Sequence, residues 1–404
     1  MSSALPTIEL SASEESAVRD KAWTLIERTL ELEEAFYRQG APINPKQWKA
    51  VMSTDDLHIY KQRRRRSARK NSIRGTMFTE SVGTPELLSI RGQNSFSKRT
   101  WFSSFSSISE SSSTSSEGTQ LEDDDDDAPI LCCGYIGGNL EDLHLGAYDG
   151  DDYHWKIRSA YMKDRFDDSR LVASIETPTH KEPFRFLGIK WFTVEYPPMV
   201  GTFVRKRDTL AIEALGMSVD DDGEPFGYYV LTDFKHPSLP ELTDLGIVRN
   251  KLSICYISRQ APNNRMRMYA RGRMDLGGDL PARLGIMIAA VSLTSGANTL
   301  EVAYYRKISW LMAKKQPERR RVLAEEAHLS SCYACRKTPR LRPVVGCQIC
   351  GHSFCAKCSV ERKLVVDASG PGVKIRSLSF CFGCLLEAKE LNPVELARDM
   401  FVQK

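Results

Sequence analysis

No run of apolar residues in this sequence approaches the roughly 20 needed to cross a bilayer as a helix. The opening MSSALPTIELSASEES has neither a basic n-region nor an apolar h-region, so no secretory signal is expected. An excess of one charge is missing too. There are 56 Lys+Arg against 52 Asp+Glu, a formal net charge of +4. That near-balance argues against a general nucleic-acid binder, and no nucleic-acid partner is expected. Histidine is scarce, at seven residues. His180 and His236 lie in proline-flanked loops and read as turn residues, and no nucleophile–base–orienter set is evident around them. No catalytic residues and no enzyme activity are therefore expected. What the chain does have is cysteine, 11 residues, eight of them between Cys332 and Cys384. The expected compartment, cytosol or nucleus, keeps thiols reduced, so the cluster reads as metal ligands rather than disulfides.

A length of 404 residues allows two or three domains. Residues 11–36 read as an amphipathic helix. Ser11 and Glu14 have capping-box spacing, and Val18, Ala22, Leu25, Thr29, Leu32 and Phe36 share one face. A strand is expected over Leu57–Lys61. Residues 63–128 differ in kind: they open on Arg63–Arg66, pass through a serine tract from Ser103 to Ser116 and end on Asp123–Asp127. So little apolar surface cannot offset the entropy of ordering, and the segment is expected to be a disordered insertion. Its basic start, 63–74, reads first as a solvated charge cluster and second as a nuclear-import signal, a lipid contact or a kinase site at Ser67.

From Pro129 onward the pattern is β, with strands expected at 130–136, 170–177, 185–194, 208–216, 227–235, 251–259 and 264–272. Short connections imply an antiparallel sheet. Asn139 is placed to cap a helix over 140–147, and Asp220–Gly223 is a turn. A long apolar helix is expected after Pro281, and 316–327 reads as a charged linker or solvated helix.

The eight cysteines form four CxxC pairs: Cys332/Cys335, Cys347/Cys350, Cys355/Cys358 and Cys381/Cys384. A CxxC turn presents two thiolates to one tetrahedral zinc, so four pairs suffice for two closed structural Zn2+ sites. Eight thiolates leave no open position for catalysis. Spacing alone permits sequential or interleaved pairing.

The string Cys347–Ser359, CQICGHSFCAKCS, resembles the FYVE zinc finger, and the resemblance runs over residues 328–390. It implies a small cross-brace in which Cys332, Cys335, Cys355 and Cys358 hold the first zinc, and Cys347, Cys350, Cys381 and Cys384 the second. A RING finger, and with it a ubiquitin ligase, is the weaker match because no histidine stands at the required spacing. The family's phosphoinositide site is not kept. Pro343–Gly346 replaces its basic, histidine-containing stretch, and Ser379 stands where an arginine is expected. Lys337, Arg340, Arg342, Lys374 and Arg376 remain as candidate contacts to an anionic or phosphoinositide membrane. Residues 328–404 hold twelve Lys/Arg against six Asp/Glu, but two zinc–tetrathiolate centres would lower that +6 to about +2.

Several strings outside the insertion resemble START lipid-binding domains: Trp48 before the 57–61 strand, Gly137–Asp142, Val204–Asp208, Asp233–Pro240 and Asp275–Pro281. The pairing of the two resembles oomycete START/FYVE proteins. The resemblance implies an α+β helix-grip fold, an antiparallel sheet around a long C-terminal helix with a cavity for one hydrophobic lipid between them. Met287, Ile288, Val291 and Leu293 of that helix, and Arg271, are then candidate cavity residues; the alternative is a filled core in which they simply pack. The expected organisation is 1–62 helix and first strand, 63–128 insertion, 129–315 main domain, 316–327 linker, 328–390 finger and 391–404 tail. The expected function is lipid binding or transfer, in the cytoplasm and peripherally on endosomal membrane. The alternative is an adaptor whose finger binds a protein partner and has lost phosphoinositide recognition.

Overall fold

Ser11 starts the first helix. Its hydroxyl accepts from the Glu14 N–H at 3.3 Å and the Glu14 carboxylate accepts from the Ser11 N–H at 2.8 Å, so two orphan donors are satisfied reciprocally. The computed structural model describes residues 6–54, 56–63, 129–162, 164, 166–194, 205–278, 282–294, 296–325, 330–339, 343–370 and 372–402. The insertion expected over 63–128 lies outside these from residue 64 onward, together with its import signal, and so do Arg340 and Arg342. Helix α1 (Ala12–Arg38) buries Val18, Ala22, Ile26 and Thr29 against one face of a sheet. It also buries Glu33, whose carboxylate is held by Arg259 at 3.1 Å and Arg267 at 2.7 Å.

The sheet is built from β1 (Trp48–Thr54), β2 (Leu57–Gln62), β3 (Ile130–Gly137), β4 (Phe166–Glu176), β5 (Phe186–Val194), β6 (Arg207–Val219), β7 (Pro225–Asp233), β8 (Val248–Arg249), β9 (Lys251–Ala261) and β10 (Arg265–Asp275). Its order is β1-β2-β3-β10-β9-β7-β6-β5-β4, antiparallel throughout, with β8 added in parallel to β6. All seven strands expected after Pro129 are present. The tight turn from β9 to β10 places Asn263 and Asn264 at φ 61 and 52, which asparagine tolerates better than other side chains. Strand β1 and helix α3 (Asp152–Met162) were not expected; helix α2 (Leu140–Ala147) starts at the Asn139 cap as expected.

Period-two alternation gives the sheet two faces. Ile189, Trp191, Leu210, Ile212, Val230 and Ile257 point to the α1 face. Met266, Met268 and Ala270 point to the other, where Ala290 and Leu293 of α4 (Ala282–Thr294) cover them. Helix α5 (Gly296–Lys314) follows and packs along α2, with Gly146 so close to Thr299 that a side chain there would meet its carbonyl. The fold is thus α+β: one large antiparallel sheet closed by α1 on one side and by α2 and the C-terminal helices on the other.

A buried pair at the start of β6 pins one end of the sheet. Arg207 donates to the Leu276 and Gly277 carbonyls at 2.9 and 3.0 Å, holding the turn at Gly277–Gly278 (φ 61 and 66). Asp208, fully buried, accepts from Trp191 Nε1 at 2.8 Å and from the Arg249 guanidinium at 2.7 Å. Asp208→Asn keeps the shape but removes the charge that partners Arg249. It should cost about 2 kcal/mol in urea unfolding; an unchanged midpoint would show that water screens the pair.

The cysteine-rich segment does not stand apart. It comprises α6 (Gln316–Glu325), β11 (Val345–Gly346), β12 (Ser353–Phe354), β13 (Ser359–Asp367), β14 (Lys374–Cys381), α7 (Phe382–Glu390) and α8 (Pro393–Phe401). Ile308 and Leu311 of α5 share a core with Ile349, Phe354, Leu364, Phe380 and Leu385. The Val365 N–H donates to the Tyr161 hydroxyl at 2.9 Å, and the Tyr304 hydroxyl to the Leu385 carbonyl at 3.2 Å. Residues 316–327 contain helix α6, one of the two forms expected there, anchored where Arg319 donates to Gln348 at 2.7 Å. One reading changes. The expected tail, 391–404, contains α8, which returns to the large sheet domain and buries Leu396, Ala397 and Phe401 beside Leu145, Tyr148 and Phe186.

Candidate functional site

The four CxxC pairs come together in the interleaved arrangement. Cys332, Cys335, Cys355 and Cys358 form one group and Cys347, Cys350, Cys381 and Cys384 the other, with the sulfurs in each group within 4.8 Å of one another. A tetrahedral zinc at about 2.3 Å from each sulfur requires S···S separations of about 3.8 Å, and Cys335 and Cys355 stand 3.8 Å apart. Each group contains only sulfur donors, so the residues fit a closed structural centre. The turns are built alike. In the second group the Gly351 N–H donates to the Cys347 carbonyl at 3.0 Å with Gly351 at φ 85. A Cβ there would meet the Arg319 carbonyl at 2.8 Å. In the first group Arg336 makes the same bond to Cys332 at 2.8 Å, and takes the left-handed φ of 59 despite its side chain. The Cys347 sulfur accepts from the Ile349 and Cys381 N–H groups at 3.5 and 3.4 Å, contacts that favour a thiolate.

The other three cysteines are separate. Cys132, Cys133 and Cys255 are buried in strands, and burial pushes the thiols of Cys132 and Cys255 up to about 12. They stay protonated and pack. Of the expected membrane contacts, Lys337, Lys374 and Arg376 are exposed. The Lys374 ammonium lies 2.8 Å from Asp367.

The face of the sheet beneath α2, α4 and α5 is not uniformly packed. One apolar cluster gathers around Ile254, Met266 and Leu293, another around Leu145, Phe186 and Leu215. Met217, Tyr229 and Tyr256 adjoin them and remain half-buried, although the two tyrosines sit at mid-strand in β7 and β9, their rings 6.0 Å apart. Residues at the centre of a covered sheet keep accessible surface only where a space adjoins them. Of the four helix residues proposed as a wall, Ile288 and Leu293 are buried, Leu293 within the first cluster, while Met287 and Val291 are half-buried. Arg271 requires a correction. It projects from the opposite face of β10, with its guanidinium over the Trp48 ring at 4.9 Å and Tyr269 as its neighbour on that face, so it cannot line a space under α4.

A polar group that the sequence reading missed adjoins Tyr229. The Lys190 ammonium, fully buried, donates to the Asp149 carboxylate and backbone carbonyl and lies 3.1 Å from Glu213. Arg158 reaches Asp149 at 3.1 Å. Burial beside the negative charge of Asp149 pushes the Glu213 carboxyl up to about 8, whereas Lys190 and Arg158 hold Asp149 well below the usual carboxylate range against its own burial. Burial raises the Tyr229 and Tyr256 hydroxyls well above 10. Glu213 Oε1 and Arg158 Nε have no hydrogen-bond partner among the described residues. The available signal was a charge inside an apolar run: Lys190 in GIKWF and Glu213 in AIEAL.

No family model matches the chain, and no match is found among curated proteins. Solved structures do align. Human StAR-related lipid transfer protein 5 is 13% identical with a TM-score of 0.40, over 72% of this chain and 97% of that one. Human STARD10 is 11% identical with a TM-score of 0.36, over 67% and 78%. A STAR-related lipid transfer protein from Xanthomonas axonopodis is 11% identical with a TM-score of 0.31, over 64% and 96%. Likeness of this degree assigns no ligand to the chain.

Proposed function

We propose that this protein binds, and carries between membranes, one lipid held under its C-terminal helices. A START-like sheet domain would supply the site, and a FYVE-like finger loaded with two structural zinc ions would supply docking. The observation that carries the reading is that Tyr229 and Tyr256, at the centre of a covered sheet face, are only partly buried. The apolar surroundings suit acyl or sterol carbons. Native mass spectrometry of the purified chain should find one lipid bound per molecule. No co-purified lipid, together with no binding to a broad lipid panel, would defeat the proposal.

The finger's role divides on Lys337, Arg340, Arg342, Lys374 and Arg376. On the favoured reading they hold it against anionic membrane, endosomal in the expected setting. Flotation with vesicles containing phosphatidylinositol 3-phosphate should then be lost in the Arg340→Ala/Arg342→Ala double variant. The basic, histidine-containing stretch missing at Pro343–Gly346 favours the second reading, a protein-binding adaptor. Flotation that is absent in the wild-type chain would support that second reading.

Glu213 gives a pH test of the buried site. Its carboxyl is raised from 4.5 to about 8, so the folded chain holds a proton that the unfolded chain releases. The stabilisation is complete below the ordinary carboxylate range and is lost as pH rises toward 8. Glu213→Gln should flatten the fall in Tm between about pH 5 and 8. An unchanged slope would mean that Glu213 is ionised in the fold.

A further inference from the structure

The two four-thiol centres differ in their surroundings. The second is sealed: Cys347, Cys381 and Cys384 are buried, and Ile349, Phe380 and Leu385 join them to α5. The first faces water. Cys335 is exposed, Cys358 is half-buried, and every residue from Tyr333 to Thr338 is exposed. Three cations sit in its turns. Arg336 and Lys337 follow Cys335, with the Arg336 guanidinium 5.0 Å from the Tyr333 ring, and Lys357 lies between Cys355 and Cys358; all three are exposed. A zinc–tetrathiolate centre carries two net negative charges, which these side chains offset. An accessible thiolate in an electropositive setting is the form that reacts with oxidants.

We propose that Cys335 is a site of oxidative modification, at which hydrogen peroxide or a related hydroperoxide releases the first metal while the second stays bound. The inference rests on the zinc reading above. The Cys335 sulfur attacks one peroxide oxygen; an S–O bond forms, the O–O bond breaks and hydroxide leaves. The Cys355 sulfur, 3.8 Å away, then attacks the sulfenic sulfur; an S–S bond forms, the S–O bond breaks and a second hydroxide leaves. Two thiolates are oxidised by two electrons and one peroxide is reduced to two hydroxides, which take up protons as water. Zinc keeps two of its four ligands and is lost. The second centre has no comparably exposed cysteine: Cys350 is half-buried and its partners are buried.

Cys335→Ala would remove a ligand outright, so the test uses the full wild-type chain. Hydrogen peroxide is added in small steps, released zinc is read with a chromogenic chelator, and remaining thiols are mapped by alkylation and mass spectrometry. The expected result is one zinc released at least about tenfold faster than the other. Cys335 should be the first thiol lost, in a disulfide within its own group, with Cys347, Cys350, Cys381 and Cys384 still reduced. Lys337→Glu/Lys357→Glu should slow that first release without changing the initial zinc content. Both zinc ions leaving together, or first oxidation in the Cys347 group, would overturn the inference while leaving the zinc reading intact. A chain purified with no zinc would overturn both.

Discussion

Cys347→Ser is expected to empty the second centre and unfold the finger. Cys347 is buried, and its sulfur accepts two backbone N–H groups from Ile349 and Cys381, so the hydroxyl oxygen cannot take over the contacts or the metal bond. Structural zinc supplies about 10–16 kcal/mol of apparent folding free energy in small finger modules, more than the few strands and one helix here can replace. The finger core includes Ile308 and Leu311 of α5, so its loss also exposes apolar surface on a helix of the sheet domain. Bound zinc should fall from two ions to one or none, and alkylation should reach Cys381 and Cys384 in the absence of oxidant. One thermal transition should remain, that of the large sheet, which keeps its own core around Ile189, Ile212 and Val230, and it should fall below the wild-type temperature because α5 has lost part of its cover. A variant with two zinc ions and a single transition at the wild-type temperature would refute the assignment of Cys347.

Much of this architecture was legible because short apolar and β-branched runs between turns mark strands. The run expected over 185–194 is β5, Phe186–Val194, although it is buried on both faces. Trp48–Thr54 was illegible because an edge strand is exposed along much of both faces. Helix α3 was illegible because only His154 and Trp155 are buried in it. The cysteine ligands were evident from CxxC turns; spacing alone left their partition open, the FYVE resemblance implied the interleaved one, and the chain path through β11–β14 brings Cys332 to Cys355 rather than to Cys347. Arg271 failed for a reason of register. Shifting a strand by one residue exchanges its faces, and nothing local to RMRMYARGRMD says which face α4 covers. The Lys190 group lay hidden because its partners come from separate elements, Asp149 after α2 and Glu213 in β6.

Deleting residues 392–404 should destabilise the sheet domain more than any single surface change, although the removed segment follows the finger. Asn392 caps α8 through the Val394 and Glu395 N–H groups at 2.9 and 3.2 Å and fixes the direction in which the helix returns. At its end Phe401 stacks on Tyr148 with ring centroids 4.0 Å apart and meets the His154 ring edge-on at 4.9 Å. Beneath lies Arg306, buried, donating to the Tyr148 carbonyl at 2.6 Å and standing 5.2 Å from the Phe401 ring. Burial drags the Arg306 guanidinium down to about 10, so this cation already pays a desolvation cost. Removing the ring leaves a cavity beside it. Phe401→Ala alone should cost about 3–5 kcal/mol by urea unfolding, and the deletion more, since Leu396 is lost as well. Neither change touches a thiol, so both variants should retain two zinc ions. A deletion that leaves the urea midpoint unchanged would show α8 to be detached in solution. One that loses zinc as well would show that the finger folds only when clamped to the sheet domain at both ends.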